Sequence, residues 1–281
     1  RITLEDLSNL PLLQDVAESL VGIQTGDYPR FVNSFWELPG INRKWEAYSR
    51  PGDDLLARSN LIFWESGNGS LLRLVQEKLG VGGEAAWLRG EACWGKRGVA
   101  VQLMGSLSAS LYEGQKFDQT VAVLLPRRPA HLSAIWAFCS SPDFSNEVRK
   151  IDKKLNLTNS TLAKVPFDLA QWQKVAAEKY PHGLPKPFSS DPTQWLFNGH
   201  PAGADQSLHV AVARLLGYQW PRQTGSSFPD CPALPPDGLD SLADQDGIIC
   251  LSSTKGEGPA AERVREFLAK ALGDFDLQAL I

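Results

Sequence analysis

Glycine and proline interrupt the first 168 residues so often that the apolar runs between them are only a few residues long. Short runs bounded by turn residues and rich in β-branched and aromatic side chains are typical of strands. We therefore predict strands at 15–23, 31–38, 61–64, 85–88, 99–104, 120–125 and 157–165. The segment between Pro39-Gly40 and Pro51-Gly52, which contains Trp45, is predicted to be a loop.

Three segments of the same region show helical spacing instead. In 70–79, Leu71, Val75 and Leu79 recur every four residues, Ser70 is the expected cap and Gly80 follows the end. Helices are also expected at 131–139 and at 142–153. Strands interleaved with helices predict an α+β domain over residues 1–168, with a mixed sheet and packed helices.

The predicted secondary structure changes after residue 168, from strands mixed with helices to helices and loops. Helices are expected at 169–180, 205–216 and 257–272, and a short one should begin at Asp191-Pro192. Residues 221–238 hold five prolines and two glycines, which predicts an extended loop. We therefore predict a second part, residues 169–281, that is a helical, loop-rich C-terminal extension.

The charge is unevenly distributed. A net charge of −4 argues against a uniformly basic nucleic-acid binder. Residues 1–170 hold 19 basic and 19 acidic side chains, however, whereas 171–281 hold 9 and 13. Within 127–164, seven basic residues accompany three acidic ones, and such a cluster can hold phosphates. Composition alone favours the other explanation, a solvated helix face.

Several common kinds of site are not expected. The four cysteines, at 93, 139, 231 and 250, are far apart, so neither zinc nor a disulfide framework is predicted, and a reducing cytoplasm fits best. No Walker loop, no nucleophile elbow and no run of about twenty apolar residues occurs, so neither a nucleotide nor a membrane is an expected partner. Because position 1 is Arg, we expect a piece of a longer protein, the alternative being a processed N-terminus.

A series of stretches resembles one family when they are taken in order along the chain. The stretches are GIQTGDYPRF at 22–31, FWE at 35–37, WGKRGV at 94–99, LYEGQKFD at 111–118, HLSAIWAF at 131–138, KVPFD at 164–168 and DPTQWLFNGHP at 191–201. They resemble the specificity region and C-terminal extension of large adenine-specific DNA methyltransferases. These are the single-chain type IIG restriction-modification enzymes and the related methyltransferases of BREX and DISARM phage defence.

The resemblance implies that residues 1–168 are a DNA target-recognition domain. It implies two partners, double-stranded DNA and an upstream methyltransferase domain of the same chain, and defence-system subunits as further candidates. That upstream domain would bind S-adenosylmethionine. The sequence has no glycine-rich cofactor loop after a strand and no Asn/Asp-Pro-Pro-aromatic tetrapeptide, since its one Pro-Pro lies between Leu234 and Asp237. No catalytic residue and no cofactor are therefore expected in this sequence itself, although the parent protein is expected to be an enzyme.

The resemblance also suggests which side chains contact DNA. Phosphates attract cations, and polar groups on a glycine-flanked turn can approach a base or the backbone. The candidates are Thr25, Asp27, Arg30, Lys96, Arg97, Arg127, Arg128, Lys153 and Lys154. For the first three, ordinary turn chemistry is the favoured alternative. Indole rings can stack on bases, but core packing is favoured for Trp36, Trp45, Trp64 and Trp94.

A second function remains open. The acidic excess and proline-rich linkers of 169–281 would also suit a module that docks a partner subunit of a defence complex. An acidic surface repels phosphate, so this half is the weaker DNA candidate. A free-standing hydrolase has neither a nucleophile motif nor a metal motif in its support.

Overall fold

A computed structural model describes residues 11–50, 58–185, 188–226 and 231–280. The chain divides into two compact units. The first comprises residues 1–39 and 43–186, and the second comprises residues 40–42 and 187–281. The division after residue 186 lies beyond the boundary at 168 that the sequence suggested, and the packing of one helix, described below, accounts for the difference.

The first unit contains eight strands and seven helices among its described residues. The strands are β1 (Ala17–Val21), β2 (Val32–Ser34), β3 (Trp45–Ser49), β4 (Asn60–Phe63), β5 (Gly98–Gln102), β6 (Ala109–Tyr112), β7 (Lys116–Phe117) and β8 (Val121–Pro126). The helices are α1 (Leu13–Val16), α2 (Tyr28–Phe31), α3 (Ser70–Leu79), α4 (Leu132–Cys139), α5 (Pro142–Ile151), α6 (Asn159–Ala163) and α7 (Leu169–Lys179). Short 3-10 turns lie at Phe35–Glu37, Glu65–Gly67, Glu84–Ala86, Glu91–Cys93 and Pro129–His131.

The strands form two sheets in the described part of the chain. The first has the order β1-β8-β5-β6, and all its pairs are antiparallel. The second has the order β2-β4-β3-β7, in which β3 and β7 are parallel and the other pairs antiparallel. A mixed sheet beside packed helices confirms the predicted α+β class.

Helices α4, α5 and α7 meet around Phe138. Its ring lies 5.3 Å from the ring of Phe144 in α5, 5.3 Å from that of Phe167 and 5.0 Å from that of Trp172 in α7. Tight aromatic packing of this kind buries much apolar area. It therefore fixes α7 to the first unit, although the sequence assigned this helix to the C-terminal extension.

The turn after β1 depends on two glycines of the stretch GIQTGD. A Cβ on Gly22 would lie 2.0 Å from the carbonyl oxygen of Phe117, because Ile23 donates its backbone N–H to that oxygen. Gly26 has a φ of +71°, and a Cβ there would lie 2.5 Å from the Trp87 ring. Only glycine fits both positions without a shift of the chain.

Among the local predictions that were wrong, three are explained by a competing local preference. Residues predicted as a strand at 85–88 follow a glycine pair and begin in a 3-10 turn. The stretch 157–165 contains α6 instead of a strand, since its buried residues Thr161, Leu162 and Val165 fit a helical spacing. Asp191 begins a turn by accepting the backbone N–H of Thr193 at 2.8 Å, and the expected short helix does not form.

Helix α6 lies against β1, the outer strand of the first sheet. The side-chain amide of Asn159 donates a hydrogen bond of 2.7 Å to the carbonyl oxygen of Ser19. Leu162 is fully buried at this contact. The outer backbone edge of β1 is therefore partly covered by a side chain and a helix.

The second unit is helical and rich in loops, as predicted. Its helices are α8 (Ser207–Leu215), α9 (Pro221–Thr224) and α10 (Ala260–Leu272), with 3-10 turns at Asp240–Leu242 and Leu277–Leu280. Apolar residues of α8 and α10 pack around Phe267 and Leu268, which are fully buried. The buried Arg214 of α8 lies beside this core.

Arg214 connects three chain segments of the second unit. Its Nη1 donates to the carbonyl oxygen of Gly199 at 2.9 Å and to Asp237 at 2.7 Å, and its Nη2 donates to Asp240 at 2.7 Å. The side chain of Arg214 is 1% exposed, whereas that of Asp240 is 55% exposed. The hydrogen bond from Arg214 lowers the pKa of the Asp237 carboxyl.

We expect Asp237→Ala to destabilise the second unit by about 2 kcal/mol, because it leaves part of a buried guanidinium unpaired. The lowered pKa adds a pH signature: the stabilisation by Asp237 is present above its unfolded pKa of about 3.9 and is lost as pH falls through the lower folded value. The difference between wild type and variant, measured by urea unfolding, should therefore shrink below about pH 4. The exposed neighbour provides the control, since Asp240→Asn should cost less than about 1 kcal/mol.

Candidate nucleic-acid interface

One end of the first sheet brings two pairs of cations together. Since β5 and β8 are antiparallel, with Val99 opposite Leu124, the residues before β5 lie beside those after β8. Lys96 and Arg97 lie on the turn that leads into β5, and Arg127 directly follows β8. The backbone N–H of Arg127 also bonds to Val16 just before β1, at 2.8 Å. The ends of three strands thus bring together four cations: Lys96, Arg97, Arg127 and Arg128.

A groove opens at this end of the sheet, with a cavity volume of about 640 Å³. Lys96, Arg97 and Arg127 line it together with Glu18. The remaining lining is apolar, and consists of Leu125, Pro126, Pro129 and Leu132. We name this feature the basic groove. It combines cationic walls with an apolar floor, a combination that suits a ligand with both anionic and apolar surface.

Two of the four cations are paired within the protein. Arg97 forms a forked contact with Glu113, in which Nη2 lies 2.8 Å from Oε1 and Nε lies 3.0 Å from Oε2. Arg127 bonds to Glu18 at 3.0 Å and to the carbonyl oxygen of Gln14 at 3.2 Å. Lys96 and Arg128 are exposed and have no side-chain partner among the described residues. Four cations against two carboxylates leave a local excess of two positive charges.

The arginines of these pairs remain accessible. The side chains of Arg97 and Arg127 are 50% and 49% exposed, so solvent screens both ion pairs. Exposed pairs of this kind contribute about 0–1 kcal/mol. A polyanion can therefore compete with Glu18 and Glu113 for the guanidinium groups.

The three candidates on the turn after β1 lie elsewhere in the first unit. Thr25 is buried, at 4% exposure, so its hydroxyl cannot reach a ligand without movement of the turn. Asp27 is exposed and precedes α2. Arg30 is exposed in α2, with its guanidinium 5.0 Å from the centre of the Phe31 ring. None of the three lines the basic groove.

Lys153 and Lys154 are exposed on the turn that follows α5. That turn is joined to the other end of β5, because Met104 pairs with Asn156 and Leu157 donates its N–H to the carbonyl oxygen of Leu103 at 2.9 Å. These lysines and the basic groove therefore lie at opposite ends of the same strand. Their closeness to Arg127 and Arg128 in the sequence does not become closeness in space.

The four candidate tryptophans differ in their surroundings. Trp64 and Trp94 stack edge to face at 5.4 Å, and the ammonium group of the buried Lys116 lies 4.8 Å and 4.4 Å from their ring centres. Trp45 packs on Phe63 at 5.1 Å. Trp36 is the most exposed of the four, at 46%. Packing within the protein thus accounts for Trp45, Trp64 and Trp94.

Sequence reasoning missed the two carboxylates that pair with the arginines. Glu18 lies far from Arg127 in the chain, and only the pairing of β1 with β8 brings them together. Glu113 was part of a stretch quoted for the resemblance, but its contact with Arg97 depends on the pairing of β5 with β6. An alternation of charged and apolar residues along adjacent strands is the one signal that would have suggested such pairs.

Within the described ranges, no helix is both long and apolar enough to cross a membrane. Across the same ranges, no three His, Cys, Asp or Glu side chains are grouped as metal ligands would be.

Comparison with known proteins gives little beyond this geometry. No family model and no curated protein matches the chain. Among solved structures, one similar chain is a Type IIL restriction-modification enzyme, MmeI, in complex with DNA. The identity is 11% and the TM-score 0.37, over 95% of this chain and 34% of that chain. This chain thus spans about a third of the length of that enzyme, and a similarity at this level identifies neither fold nor function.

Proposed function

We propose that the first unit binds double-stranded DNA through the basic groove, as the target-recognition part of a larger adenine-specific DNA methyltransferase of a restriction-modification or phage-defence system. The observation that carries this proposal is the convergence of Lys96, Arg97, Arg127 and Arg128 at one end of a sheet, from two separate chain segments. Phosphate contacts supply most of the sequence-independent affinity of DNA-binding proteins.

The groove offers chemistry that matches a sugar-phosphate backbone. The guanidinium groups of Arg97 and Arg127 can each donate two hydrogen bonds to one phosphate. The unpaired side chains of Lys96 and Arg128 add positive charge. The apolar floor around Leu125 and Leu132 suits the apolar face of a deoxyribose. In this arrangement the groove fixes the position of the duplex, while base contacts come from side chains near it.

The division of labour follows from the motifs that the sequence lacks. The S-adenosylmethionine site and the pocket for the target adenine belong to the upstream methyltransferase domain. That domain flips the adenine out of the duplex. The first unit of this chain holds the flanking base pairs, and contributes no group to the methyl transfer itself.

The direct test is fluorescence anisotropy of the chain with a pool of short random duplexes across a salt series. Binding whose logarithm falls steeply with the logarithm of salt concentration supports a phosphate-holding domain, since each phosphate contact adds about 0.9 to the slope. An absence of binding at low salt, both for this chain and for the full-length parent, contradicts the proposal.

Glu18→Gln is expected to strengthen DNA binding about threefold at low salt, because it removes a carboxylate that competes with phosphate for Arg127. The same anisotropy titration measures the effect. Glu77→Gln removes one negative charge from the exposed face of α3 and should leave affinity nearly unchanged. Equal effects of the two substitutions would show that net charge, and not the pairing with Arg127, is responsible.

A second candidate function has one observation in its favour. In the second unit, Ile248 and Leu251 are 64% and 88% exposed on the loop between α9 and α10. Asp244 and Glu257 lie on either side of these two residues in the loop, and Arg263 forms an ion pair of 2.6 Å with each of them. A fixed loop that presents apolar side chains suits a protein partner. Co-purification with subunits of the parent system, abolished by Ile248→Ser with Leu251→Ser but not by changes in the basic groove, would favour this function.

A further inference from the structure

The turn that follows α5 presents apolar side chains to solvent. Leu155 is 68% exposed, and Ile151 at the end of α5 is 39% exposed. Met104, which pairs with Asn156 across this turn, is 40% exposed. A lone exposed leucine is common on protein surfaces, but three apolar side chains on adjoining segments form a patch.

The backbone of this turn is held in place from both sides. Arg149 donates one hydrogen bond to the carbonyl oxygen of Lys154 and another, of 2.7 Å, to that of Gly105. The N–H of Lys154 bonds to Asp152 at 2.9 Å. Because the backbone is fixed on each side of Leu155, its side chain is displayed without the entropy cost of ordering a flexible loop.

The surroundings of Leu155 are cationic. Lys153 and Lys154 precede it directly and are exposed, and neither forms an ion pair within the described part of the chain. The nearest acid in the sequence, Asp152, already accepts a backbone hydrogen bond. An apolar tip beside two free ammonium groups complements a surface that is anionic at its rim and apolar within, and this is the character of a DNA minor groove between its phosphates.

The distance between this turn and the basic groove fits a single duplex. Lys96 and Met104 each lie two residues outside β5, so eight residues separate them, or about 26 Å if the chain between them is extended. With a rise of 3.4 Å for each base pair, this corresponds to roughly eight base pairs. A duplex much shorter than this therefore cannot contact both places.

We propose that the turn at Lys153–Leu155 is a second DNA contact, in which Leu155 packs into the minor groove while Lys153 and Lys154 hold the phosphates on its rim. This inference rests on the proposed function, because it assumes that the basic groove holds the same duplex. It assigns a role to an apolar residue that charge alone would not select.

The test compares the wild-type chain with Leu155→Ala and with Lys153→Ala/Lys154→Ala, on hairpin duplexes with stems of about 6 and about 16 base pairs. Leu155→Ala should weaken binding to the longer stem roughly tenfold, with no change in the salt slope, because no charge is lost. The double lysine variant should lower the slope by about 2. Neither should change binding to the shorter stem, which cannot reach both contacts. Val81→Ala removes another exposed apolar side chain, 88% accessible, and serves as the matched control.

The outcomes separate the two proposals. If the wild type binds, Arg127→Glu/Arg128→Glu binds weakly and both turn variants bind as the wild type does, the second contact is refuted and the basic groove stands. If Leu155→Ala weakens capture of a protein partner but not of DNA, the patch is a protein-docking surface and the inference is wrong. If the wild-type chain and its full-length parent bind no duplex at all, both proposals fail.

Discussion

Reversing both charges after β8, with Arg127→Glu and Arg128→Glu together, should weaken binding of duplex DNA on the order of 100-fold at low salt. Each arginine is expected to make a charge-assisted hydrogen bond to phosphate, worth about 1.5 kcal/mol or about a factor of ten. Loss of two phosphate contacts should also lower the salt slope by about 2. Anisotropy titrations across a salt series measure both quantities in one experiment.

The control for this variant must change the net charge equally at another place. Arg73→Glu with Lys78→Glu does so on the exposed face of α3, away from the basic groove. Its slope should stay within the error of the wild type, apart from a small effect of overall charge. If the slope of the Arg127/Arg128 variant also stays unchanged, these residues do not contact phosphate. Because both arginines are exposed, thermal unfolding should confirm that the variant remains folded.

Gly22→Ala should destabilise the first unit by more than about 3 kcal/mol, the upper range for overpacking. The added methyl group would lie 2.0 Å from the carbonyl oxygen of Phe117, and backbone cannot move aside as the end of a flexible side chain can. The strand β7, which contains Phe117, would have to separate from the turn after β1. Urea unfolding followed by circular dichroism measures this loss.

Gly258→Ala is the matched substitution. It adds the same methyl group where no atom lies within 4 Å of the new Cβ, so its unfolding midpoint should stay close to that of the wild type. A Gly22→Ala protein that unfolds at the wild-type midpoint would show that the turn can open at little cost. Glycine would then be needed in this stretch for a reason other than close approach.

The parts of the fold that the sequence predicted are those with a long, regular pattern. Helix α3 shows four-residue spacing over its whole length, β8 is an uninterrupted apolar run, and β5 is apolar as far as Gln102, so all three were found within a residue or two. Strand β3 was missed, because Trp45 to Ser49 contains a glutamate and a serine and lies between two Pro-Gly pairs. Its strand character comes from pairing with β4, which the local sequence does not encode.

The candidate site shows the same limit. Charge and resemblance were enough to select Lys96, Arg97, Arg127 and Arg128 from the sequence. The assembly of Lys96, Arg97 and Arg127 into one groove depends on strand pairing, which joins segments distant in the chain. The lysines at 153 and 154 shared a charge-rich stretch with Arg127 but lie at the far end of β5, because α4 and α5 run between them.

Helix α6 and Asn159, which cover part of the outer edge of β1, affect the tendency of this protein to aggregate at high concentration. An uncovered outer strand presents a row of free N–H and C=O groups on which a second molecule can add its own strand, and aggregates grow from such contacts. Asn159 occupies one of these acceptors, the Ser19 carbonyl, and α6 lies against the same strand. Residues that the sequence suggested as one more strand thus form a barrier to intermolecular pairing. The protection of β1 from such pairing therefore depends on a short helix that follows closely on the turn after α5.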